Sequence, residues 1–553
     1  MASAPESGMS RRKFVKYAAI GGLAAWGVYS GLVYPSGWNK WLTYGQKPWE
    51  RIPGVVDYDL VAESEGSMDQ YGVPAFYREG GIERRTLNVA QWYDYWSGKT
   101  ISDFTRYMQE RFHLDGVQVR WTSNIYTSNE ELFTWVAQTG RKFDVMVPTN
   151  YTVETMEKAG LLVNMNKEWL PNYKSIFGPV PSSAELDLIN PWITDVYQPD
   201  YPTFPNGYNN AAGFDFRTPA LNPYAYRMNK AAYPNPRGTD YFTWDEENSL
   251  LAVPYQWGTT GIGYRSDVFA RADIEEMGWE VFELPTYRNS VTGQTYDLTK
   301  KKMMLDDMRE VFTAGHKVTG WKKQEALGIL PTAITYNPAS PYNGEFQLSS
   351  NEIDDAKLVE SADWLLSWQG SSWGFNTPQQ GPWLIGGERY VDQAWSGDIM
   401  YAVRPNSSQF VPVEYFVPRQ GGARWIDNLV IHRECEKLWL AHQFINYIQD
   451  PVVQADVSSW NLYATPSGWS FEILHNNPTY SYNGQNPDGS PYYWNPAEDY
   501  RIYSDFALDG TSDIAETYRN LGRPPILERC EYQHDVGVKN TLRYFKYWRA
   551  VKF

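Results

Sequence analysis

The stretch from Gln91 to Trp96 places one carboxylate, that of Asp94, among four aromatic rings, directly after an alternating apolar run at Leu87 to Ala90. A buried carboxylate in such surroundings needs a positive partner, because without one it would take up a proton. The face of an aromatic ring also attracts ammonium groups through its quadrupole. The pattern therefore predicts one wall of a site for an organic cation. The alternative is a strand end that carries surface aromatics.

Acids and aromatic residues recur together at distant places in the chain. Asp307 and Glu310 are three residues apart at the start of a predicted helix, so they share one helix face. The same spacing is that of an N-cap pair, which satisfies free backbone amides, and both roles can hold at once. The stretches Gln393 to Gly397 and Arg424 to Asn428 each combine a tryptophan with polar residues. This recurrence favours a ligand site.

The chain is long and acidic. Its 553 residues exceed what one core usually carries, so we expect two domains or lobes. Lys and Arg total 49 against 65 Asp and Glu, a formal net charge of -16 that repels nucleic acid and favours cations. Aromatic residues make up 16% of the chain, with 25 Trp and 41 Tyr, and this excess serves either extra core or ligand-facing walls. No nucleic-acid partner is expected.

The N-terminus has the form of an export signal. Arg11 and Arg12 precede an apolar run from Tyr17 to about Val33, which is typical of twin-arginine signals, although a chance Arg pair is the alternative. We therefore predict a signal over residues 1–34 and the twin-arginine translocase as a partner. The predicted location is the periplasm or the outer face of the cytoplasmic membrane. No clear Ala-x-Ala site follows the run, so cleavage and an uncleaved anchor both stay open.

Beyond a spacer predicted over residues 35–83, strands and helices alternate. Leu87 to Ala90, Val117 to Val119 and Phe143 to Val147 are predicted strands, each followed by a predicted helix. This alternation is typical of a parallel sheet, whose ligand sites lie beyond the carboxyl ends of its strands. Tyr95 falls just past one such end, which supports the aromatic wall predicted there.

Later segments are predicted mainly as framework. Leu251 to Tyr264 is predicted as a strand, a crossover and a second strand. The stretches 176–250 and 470–525, crowded with Asn, Pro, Tyr and Gly, are predicted as insertions. A helix from Glu436 to Ile448 carries His442 on its inward face, so this histidine is predicted to be a satisfied core residue.

The two cysteines and six histidines have no metal-type spacing. Neither His-Glu-x-x-His nor Cys-x-x-Cys occurs, so no metal and no cofactor are expected. In an oxidising compartment Cys435 and Cys530 could pair, and two alternatives stay open, a disulfide or two buried thiols.

Few signals of catalysis are present. The chain has neither a Gly-x-Ser-x-Gly nucleophile elbow nor a phosphate-binding glycine loop. Paired carboxylates with aromatic walls could serve a glycosidase, whose acid and nucleophile must be about 5 or 6.5 to 9.5 Å apart. A secreted carbohydrate-binding or glycoside-active protein is therefore the alternative function.

Eight stretches of the chain follow one another in the order of a known family. They are Leu87 to Tyr95, Ser128 to Glu130, Asp144 to Tyr151, Val253 to Gly263, Asp306 to Phe312, Trp425 to Asp427, Tyr463 to Pro466 and Gln533 to Gly537. Together they resemble the polyamine-binding proteins of bacterial ABC transporters, in particular the spermidine/putrescine-binding type. The similarity runs over residues 84–545 and is interrupted by the predicted insertions.

The resemblance implies an α/β fold of the two-lobed periplasmic-binding-protein type II, with mixed sheets, flanking helices and a ligand cleft between the lobes. It implies lobe 1 over residues 84–257 plus 426–470, and lobe 2 over residues 258–425 plus 471–553. The implied partners are a polyamine ligand and an ABC permease in the cytoplasmic membrane, and a monomer is expected. The implied ligand-binding residues are Trp92, Asp94, Tyr95, Thr149, Tyr151, Trp257, Asp307, Glu310, Trp395, Trp425, Asp427, Tyr463 and Gln533.

Four residues, at three places in the chain, depart from the family pattern. Tyr93 stands where a small hydroxyl residue is usual, Thr149 and Asn150 replace a Ser-Thr pair, and Ser396 follows Trp395 where Asn is usual. A bulkier wall could shorten the slot and change which polyamine fits. The resulting hypothesis is an exported solute-binding protein, not an enzyme, that captures a polyamine for an ABC importer.

Overall fold

The computed structural model describes residues 50–52, 55–56, 65–93, 95–163, 165–166, 169–170, 172, 249–328, 349–403, 412–466, 470, 482–485, 491–494 and 530–553. The predicted export signal and nearly all of the two predicted insertions lie outside these ranges. Within them, no helix combines the length and the apolar character that a membrane crossing requires.

The strands are mostly short and are numbered in chain order. They are β1 (Glu50–Ile52), β2 (Val55–Val56), β3 (Thr86–Trp92), β4 (Gln118–Arg120), β5 (Ile125–Tyr126), β6 (Val145–Met146), β7 (Met165–Asn166), β8 (Ser249–Leu250), β9 (Val253–Arg265), β10 (Thr286–Arg288), β11 (Thr295–Asp297), β12 (Lys302–Met304), β13 (Gly374–Phe375), β14 (Val391–Trp395), β15 (Val413–Phe416), β16 (Gly422–Ile431), β17 (Tyr482–Gln485), β18 (Pro491–Trp494) and β19 (Cys530–Tyr532).

The α-helices are numbered in the same way. They are α1 (Ala75–Arg78), α2 (Gly98–Phe112), α3 (Asn129–Ala137), α4 (Asn150–Lys158), α5 (Arg271–Met277), α6 (Met308–Ala326), α7 (Asp355–Gln369), α8 (Gln380–Ile385), α9 (Ser396–Val403), α10 (Leu438–Ile448), α11 (Pro451–Asn461) and α12 (Val538–Lys552). Short 3-10 helices cover Ile82–Arg85 and Gly278–Glu283.

One mixed sheet of eleven strands joins the two halves of the molecule. At one end β3 runs parallel to β4, β5 and β6, as the alternation of strands and helices predicts. At the other end β12 runs parallel to β13 and β14. Between these ends β9 and β16 lie antiparallel to each other. The central pair therefore connects two parallel sheet segments.

Each half has a hydrophobic core of its own. The first core draws on residues within 73–257 and 425–464 and on Val538 of α12, and it defines lobe 1. The second draws on residues within 262–416 and on part of α12, and it defines lobe 2. Since β9 has Trp257 in the first core and Ile262 in the second, the chain passes between the lobes inside this strand.

The prediction of two strands and a crossover for Leu251 to Tyr264 is wrong, because β9 is one continuous strand. Its glycines serve close packing and not a turn. A Cβ atom on Gly258 would lie 2.7 Å from the Ser396 hydroxyl oxygen and 2.8 Å from a ring carbon of Trp425. The absence of a side chain therefore lets residues of both lobes approach the strand.

Part of the predicted spacer belongs to lobe 1. Val73 and Tyr77 are buried in its core, and the Tyr77 hydroxyl donates to Glu65 Oε1 at 3.0 Å. The same oxygen accepts the backbone N–H of Leu438 at 3.0 Å. Lobe 1 therefore includes residues before position 84, where the sequence prediction begins it.

The core role predicted for His442 is confirmed. The side chain is fully buried in α10, and Nδ1 donates to the Leu438 carbonyl oxygen at 2.7 Å. Burial lowers the pKa of His442 to about 4, so the ring is neutral at pH 7. The His442 ring is therefore part of the packed interior of lobe 1.

The cysteines are two buried thiols, so the disulfide alternative is wrong. Cys530 pairs with Gly422 at the start of β16, whereas Cys435 lies four residues past Ile431 at the end of that strand. Ten residues of extended chain separate the two by roughly 30 Å. A disulfide requires Cα atoms within about 7 Å of each other.

We expect two thiols per chain to react with a colorimetric thiol reagent after unfolding in denaturant without reductant. The folded protein is expected to react slowly, because both thiols are buried. Fewer than two reactive thiols in the unfolded monomer would contradict the separation along β16.

Candidate ligand-binding site

A cavity of about 730 Å³ lies between the lobes. Lobe 1 contributes the end of β3 and the start of α4, and lobe 2 contributes the starts of α6, α8 and α9. Ten of the thirteen residues implied by the family resemblance line this cavity: Trp92, Tyr95, Thr149, Tyr151, Asp307, Glu310, Trp395, Trp425, Asp427 and Tyr463. Side chains that are distant in sequence, acids among them, therefore converge on one space.

Asp427 projects from the central strand β16 and is held by hydroxyl groups of lobe 1. The Tyr95 hydroxyl donates to Oδ2, and the Thr149 hydroxyl donates to Oδ1 at 2.6 Å. Burial raises the pKa of Asp427 to about 7, although these hydrogen bonds oppose the rise. The Asp427 side chain is therefore fixed in position, and its ionisation is costly unless a cation compensates the charge.

Asp307 and Glu310 occupy the N-terminus of α6, and the predicted cap geometry is confirmed. Asp307 is the N-cap, and its Oδ1 accepts the backbone N–H of Glu310 at 3.1 Å. Burial, and then the neighbouring Asp307 carboxylate, raise the pKa of Glu310 to about 8. Glu310 Oε2 is buried and has no hydrogen-bond partner in the described structure. One helix start thus caps itself and supplies two acids to the cavity.

Asp398 is a fourth acid in the cavity, and sequence analysis missed it. It stands in the first turn of α9, where it accepts hydrogen bonds from the Tyr463 hydroxyl and, at 3.1 Å, from Gln380 Nε2. A Cβ atom on Gly397 would lie 2.4 Å from the Tyr463 ring, so glycine makes room for that ring. The available signal was an acid three residues after Trp395, in the same aromatic and acidic pattern.

Aromatic rings form the rest of the wall in edge-on contacts. Trp92 of lobe 1 and Trp395 of lobe 2 have ring centroids 5.7 Å apart. Trp425 lies 6.4 Å from Trp395 and 5.3 Å from Tyr463 on the same measure. The ring centroids of Tyr463 and Tyr95 are 5.6 Å apart. The acids are therefore separated by flat apolar surfaces.

The described cavity wall has acidic side chains and no basic side chain to match them. Among the described residues that line it, none is Lys, Arg or His. The guanidinium of Arg309 lies 5.3 Å from the centroid of the Tyr151 ring, but it donates to the Ser350 carbonyl oxygen at 3.2 Å and the His534 carbonyl oxygen at 3.1 Å. Nor do the described residues contain a group of three or more His, Cys, Asp or Glu placed to hold a metal ion. The arrangement is chemically suited to an organic cation.

Three residues implied by the resemblance are not placed on the cavity wall. Trp257 donates from Nε1 to the Thr465 carbonyl oxygen at 3.2 Å, so it supports the segment that carries Tyr463. The Gln533 side chain donates to the Thr313 hydroxyl at 3.4 Å. The backbone carbonyl oxygen of Gln533 accepts from Asn150 Nδ2 at 2.6 Å. Asp94 lies outside the described residues.

The departures from the family pattern fall mostly outside the slot. The Tyr93 side chain is 59% exposed, so its bulk lies at the cavity mouth and not between the acids. Asn150 is buried and binds backbone groups of Gln533 and Ile426. Ser396 accepts the backbone N–H of Thr259 at 3.3 Å. Asn150 and Ser396 therefore serve the framework, whereas Thr149 lines the cavity and donates to Asp427.

Comparison with known proteins decides the family. Residues 113–468 match the family model of the bacterial extracellular solute-binding proteins. The chain belongs to that family. A solved structure described as a spermidine/putrescine ABC transporter from Listeria monocytogenes aligns with a TM-score of 0.53 at 19% identity, covering 85% of this solute-binding protein and 99% of that chain. The predicted two-lobed fold is thereby confirmed.

Curated relatives of this solute-binding protein carry ligand names. The spermidine/putrescine-binding periplasmic protein of Escherichia coli is 21% identical over 471 residues, which cover 85% of this chain and 92% of the relative. The putrescine/cadaverine-binding protein of Pseudomonas aeruginosa is 22% identical over 377 residues, which cover 66% of this chain and 74% of the relative. These similarities span both lobes of the described structure.

Proposed function

We propose that this solute-binding protein captures a polyamine of the spermidine or putrescine kind between its lobes and presents it to an ABC importer. The main support is the convergence of Asp307, Glu310 and Asp427 on one aromatic cavity, where none of the three forms an ion pair with the described Lys and Arg residues. The names of the curated relatives support the same ligand class.

The chemistry of a polyamine matches this wall. Such a ligand is a string of ammonium groups joined by short methylene links, so a complementary slot alternates carboxylates with flat apolar faces. Asp427 and Asp398 are each hydrogen-bonded to a tyrosine, and the rings of those two tyrosines touch. The rings of Trp395 and Trp425 lie against the same space and could cover the methylene links.

The energies of such contacts are sufficient for useful affinity. Three charge-assisted hydrogen bonds at about 1.5 to 3 kcal/mol each and two cation-π contacts at about 0.5 to 2 kcal/mol each give about 5.5 to 13 kcal/mol. Association costs at least about 4 kcal/mol. Buried methylene groups add about 0.8 kcal/mol each. A micromolar complex, which needs about 8 kcal/mol, is within this range.

The carbohydrate alternative fits the cavity less well. Sugar hydroxyl groups are neutral, so a bound sugar would leave several buried carboxylates without a compensating charge, which is costly. A glycosidase would also need two of these carboxyl groups as acid and nucleophile, about 5 or 6.5 to 9.5 Å apart. We therefore propose a binding role without catalysis.

The remaining parts of the proposal concern place and partners. The twin-arginine sequence at Arg11 and Arg12 supports export by the twin-arginine translocase to the periplasm or the outer face of the cytoplasmic membrane. There the protein, as a monomer with or without a retained anchor, would meet the ABC permease. The periplasmic location of the named relatives supports the same compartment.

A thermal-shift panel tests the proposed function. We expect putrescine, cadaverine and spermidine to raise the melting temperature at pH 8, because ligand at 100 times its Kd adds about 2.7 kcal/mol of stability. The matched control is 1,4-butanediol, which has the length of putrescine without its charges and is expected to have no effect. Stabilisation by oligosaccharides but not by amines would contradict the proposal.

A further inference from the structure

One end of the cavity between the lobes is lined by neutral side chains that are open to solvent. We call these residues the mouth set. They are Tyr93 and Thr127 of lobe 1 and Pro378, Pro382 and Ile385 of lobe 2. The acids Asp307, Glu310 and Asp427 line the same cavity and are buried. The cavity therefore has a buried acidic end and an exposed neutral end.

Helix α8 connects the two ends of the cavity. Gln380 at its start is buried, and its Nε2 donates to Asp398 Oδ2 at 3.1 Å, while its Oε1 accepts the Trp395 backbone N–H at 2.8 Å. Ile385 at the end of the helix is 40% exposed. Because an α-helix rises about 1.5 Å per residue, these two positions are roughly 7.5 Å apart along the helix axis. The neutral wall therefore continues from the acids toward solvent over that length.

The mouth set exposes large apolar side chains from both lobes. Tyr93 is 59% exposed, and both Tyr93 and Ile385 line the cavity. Apolar surface that is left exposed around a cleft is typical of a binding groove. The Tyr93 ring replaces the small hydroxyl residue that the family resemblance implies, so this surface is a feature of the present chain. A ligand group that contacts both lobes here would be apolar.

The cavity is also larger than a linear polyamine requires. Spermidine has ten non-hydrogen atoms, which at the packing density of a protein interior fill roughly 200 Å³. The cavity has a volume of about 730 Å³. A polyamine bound at the acids therefore leaves space toward the mouth. A further ammonium group would find no charge among the mouth set, so this space suits an uncharged group.

We propose that the cavity binds polyamines that carry an apolar substituent on one terminal nitrogen in preference to unsubstituted polyamines. The inference rests on the proposed function and specifies its ligand class. The ammonium groups are held by the buried acids, and the substituent lies along α8 against the mouth set. Burial of the substituent between Tyr93 and Ile385 adds affinity that an unsubstituted polyamine does not gain.

The test is a calorimetric titration of the wild-type protein at pH 8 with spermidine and with N1-benzylspermidine. The benzyl group converts a primary amine to a secondary one, which keeps its positive charge, so the two ligands differ mainly in apolar area. We expect the benzyl derivative to bind roughly 10- to 100-fold more tightly, the effect of burying part of one aromatic ring.

Two variants and a matched control assign the preference to the mouth set. Tyr93→Ser and Ile385→Ser each remove apolar surface from one side of the mouth. Val291→Ser is the control, since Val291 is 81% exposed and is not among the described residues that line the cavity. We expect the ratio of the two dissociation constants to fall at least about threefold in each mouth variant. The control is expected to keep the wild-type ratio.

The outcomes separate this inference from the proposed function. Wild-type protein that binds spermidine as tightly as its benzyl derivative, or more tightly, would overturn the inference and leave the exposed mouth to a protein partner. A wild-type ratio in both mouth variants would also overturn it. Wild-type protein that binds neither amine would overturn the proposed function itself.

Discussion

Replacing Asp427 by asparagine is expected to weaken spermidine or putrescine binding by about 2 to 5 kcal/mol, the usual cost of breaking one buried charge pair. This corresponds to a roughly 30- to 5,000-fold rise in Kd. Asparagine keeps the shape of the side chain, but its single oxygen can accept from only one of Tyr95 and Thr149, which donate to different oxygens of Asp427. The ligand then loses the carboxylate that those two hydroxyl groups hold in place.

The measurement is a calorimetric titration of wild-type and Asp427→Asn protein at pH 8. Asp363→Asn is the control, since it removes the same charge from an exposed position of α7. Its affinity is expected to match that of the wild type. If Asp427→Asn binds amines as tightly as the wild type does, Asp427 is not part of the ligand site, and the lobe 1 half of the proposal fails.

Lowering the pH from 8 to 6 is expected to weaken amine binding at least about tenfold. The pKa of Asp427 is raised to about 7 and that of Glu310 to about 8, each first by burial, so both carboxyls take up protons in this range. A protonated carboxyl cannot neutralise an ammonium group. One group of pKa 7 alone accounts for about a tenfold change across these two pH units.

The stability of the ligand-free protein is expected to move in the opposite direction. A carboxyl whose pKa is raised on folding binds its proton more tightly in the folded state. Its contribution to the free energy of unfolding is fully present below the unfolded pKa, about 4, and is lost as the pH rises through 7 and 8. Melting curves and titrations at pH 6, 7 and 8 check both trends. Affinity that is constant or rises on acidification would contradict the account.

Local spacing was enough to predict the acids of α6. Asp307 and Glu310 are three residues apart, and helix geometry alone places them on one face and at one helix start. Ser128 and Glu131 have the equally local spacing of a capping box, and the Ser128 hydroxyl accepts the Glu131 backbone N–H at 3.2 Å. Such features depend on few residues, so the sequence alone predicts them.

Contacts between distant segments were harder to predict. Asp398 was missed because its hydrogen-bond partner Tyr463 is 65 residues further along the chain. Trp257 was placed in the site by family resemblance, but it is registered opposite Ile426. Successive strand residues point to opposite faces of the sheet, so Ile426 points away from the cavity that Trp425 and Asp427 line. Residues paired across two strands share a face, so Trp257 points away from the cavity with Ile426. The register between β9 and β16 decides which face Trp257 occupies. The spacing of residues in the sequence does not reveal that register.

The same lack of register information explains the cysteines. The sequence left a disulfide between Cys435 and Cys530 open, because only the number of cysteines and their predicted compartment were known. Cys530 is the β-sheet partner of Gly422 at the start of β16, whereas Cys435 follows the end of that strand. The two thiols therefore lie near opposite ends of β16. The continuity of β9 could not be predicted either, because its glycines are also typical of a turn. Only the residues that pack against Gly258 show that glycine is needed there for close packing.

The most direct test of the account is a calorimetric titration of ligand-free wild-type protein at pH 8 with putrescine and spermidine, and separately with oligosaccharides. The account predicts one amine per chain, an affinity in the micromolar range or better, and no heat from the sugars. Heat from the sugars, with none from either amine, would contradict it.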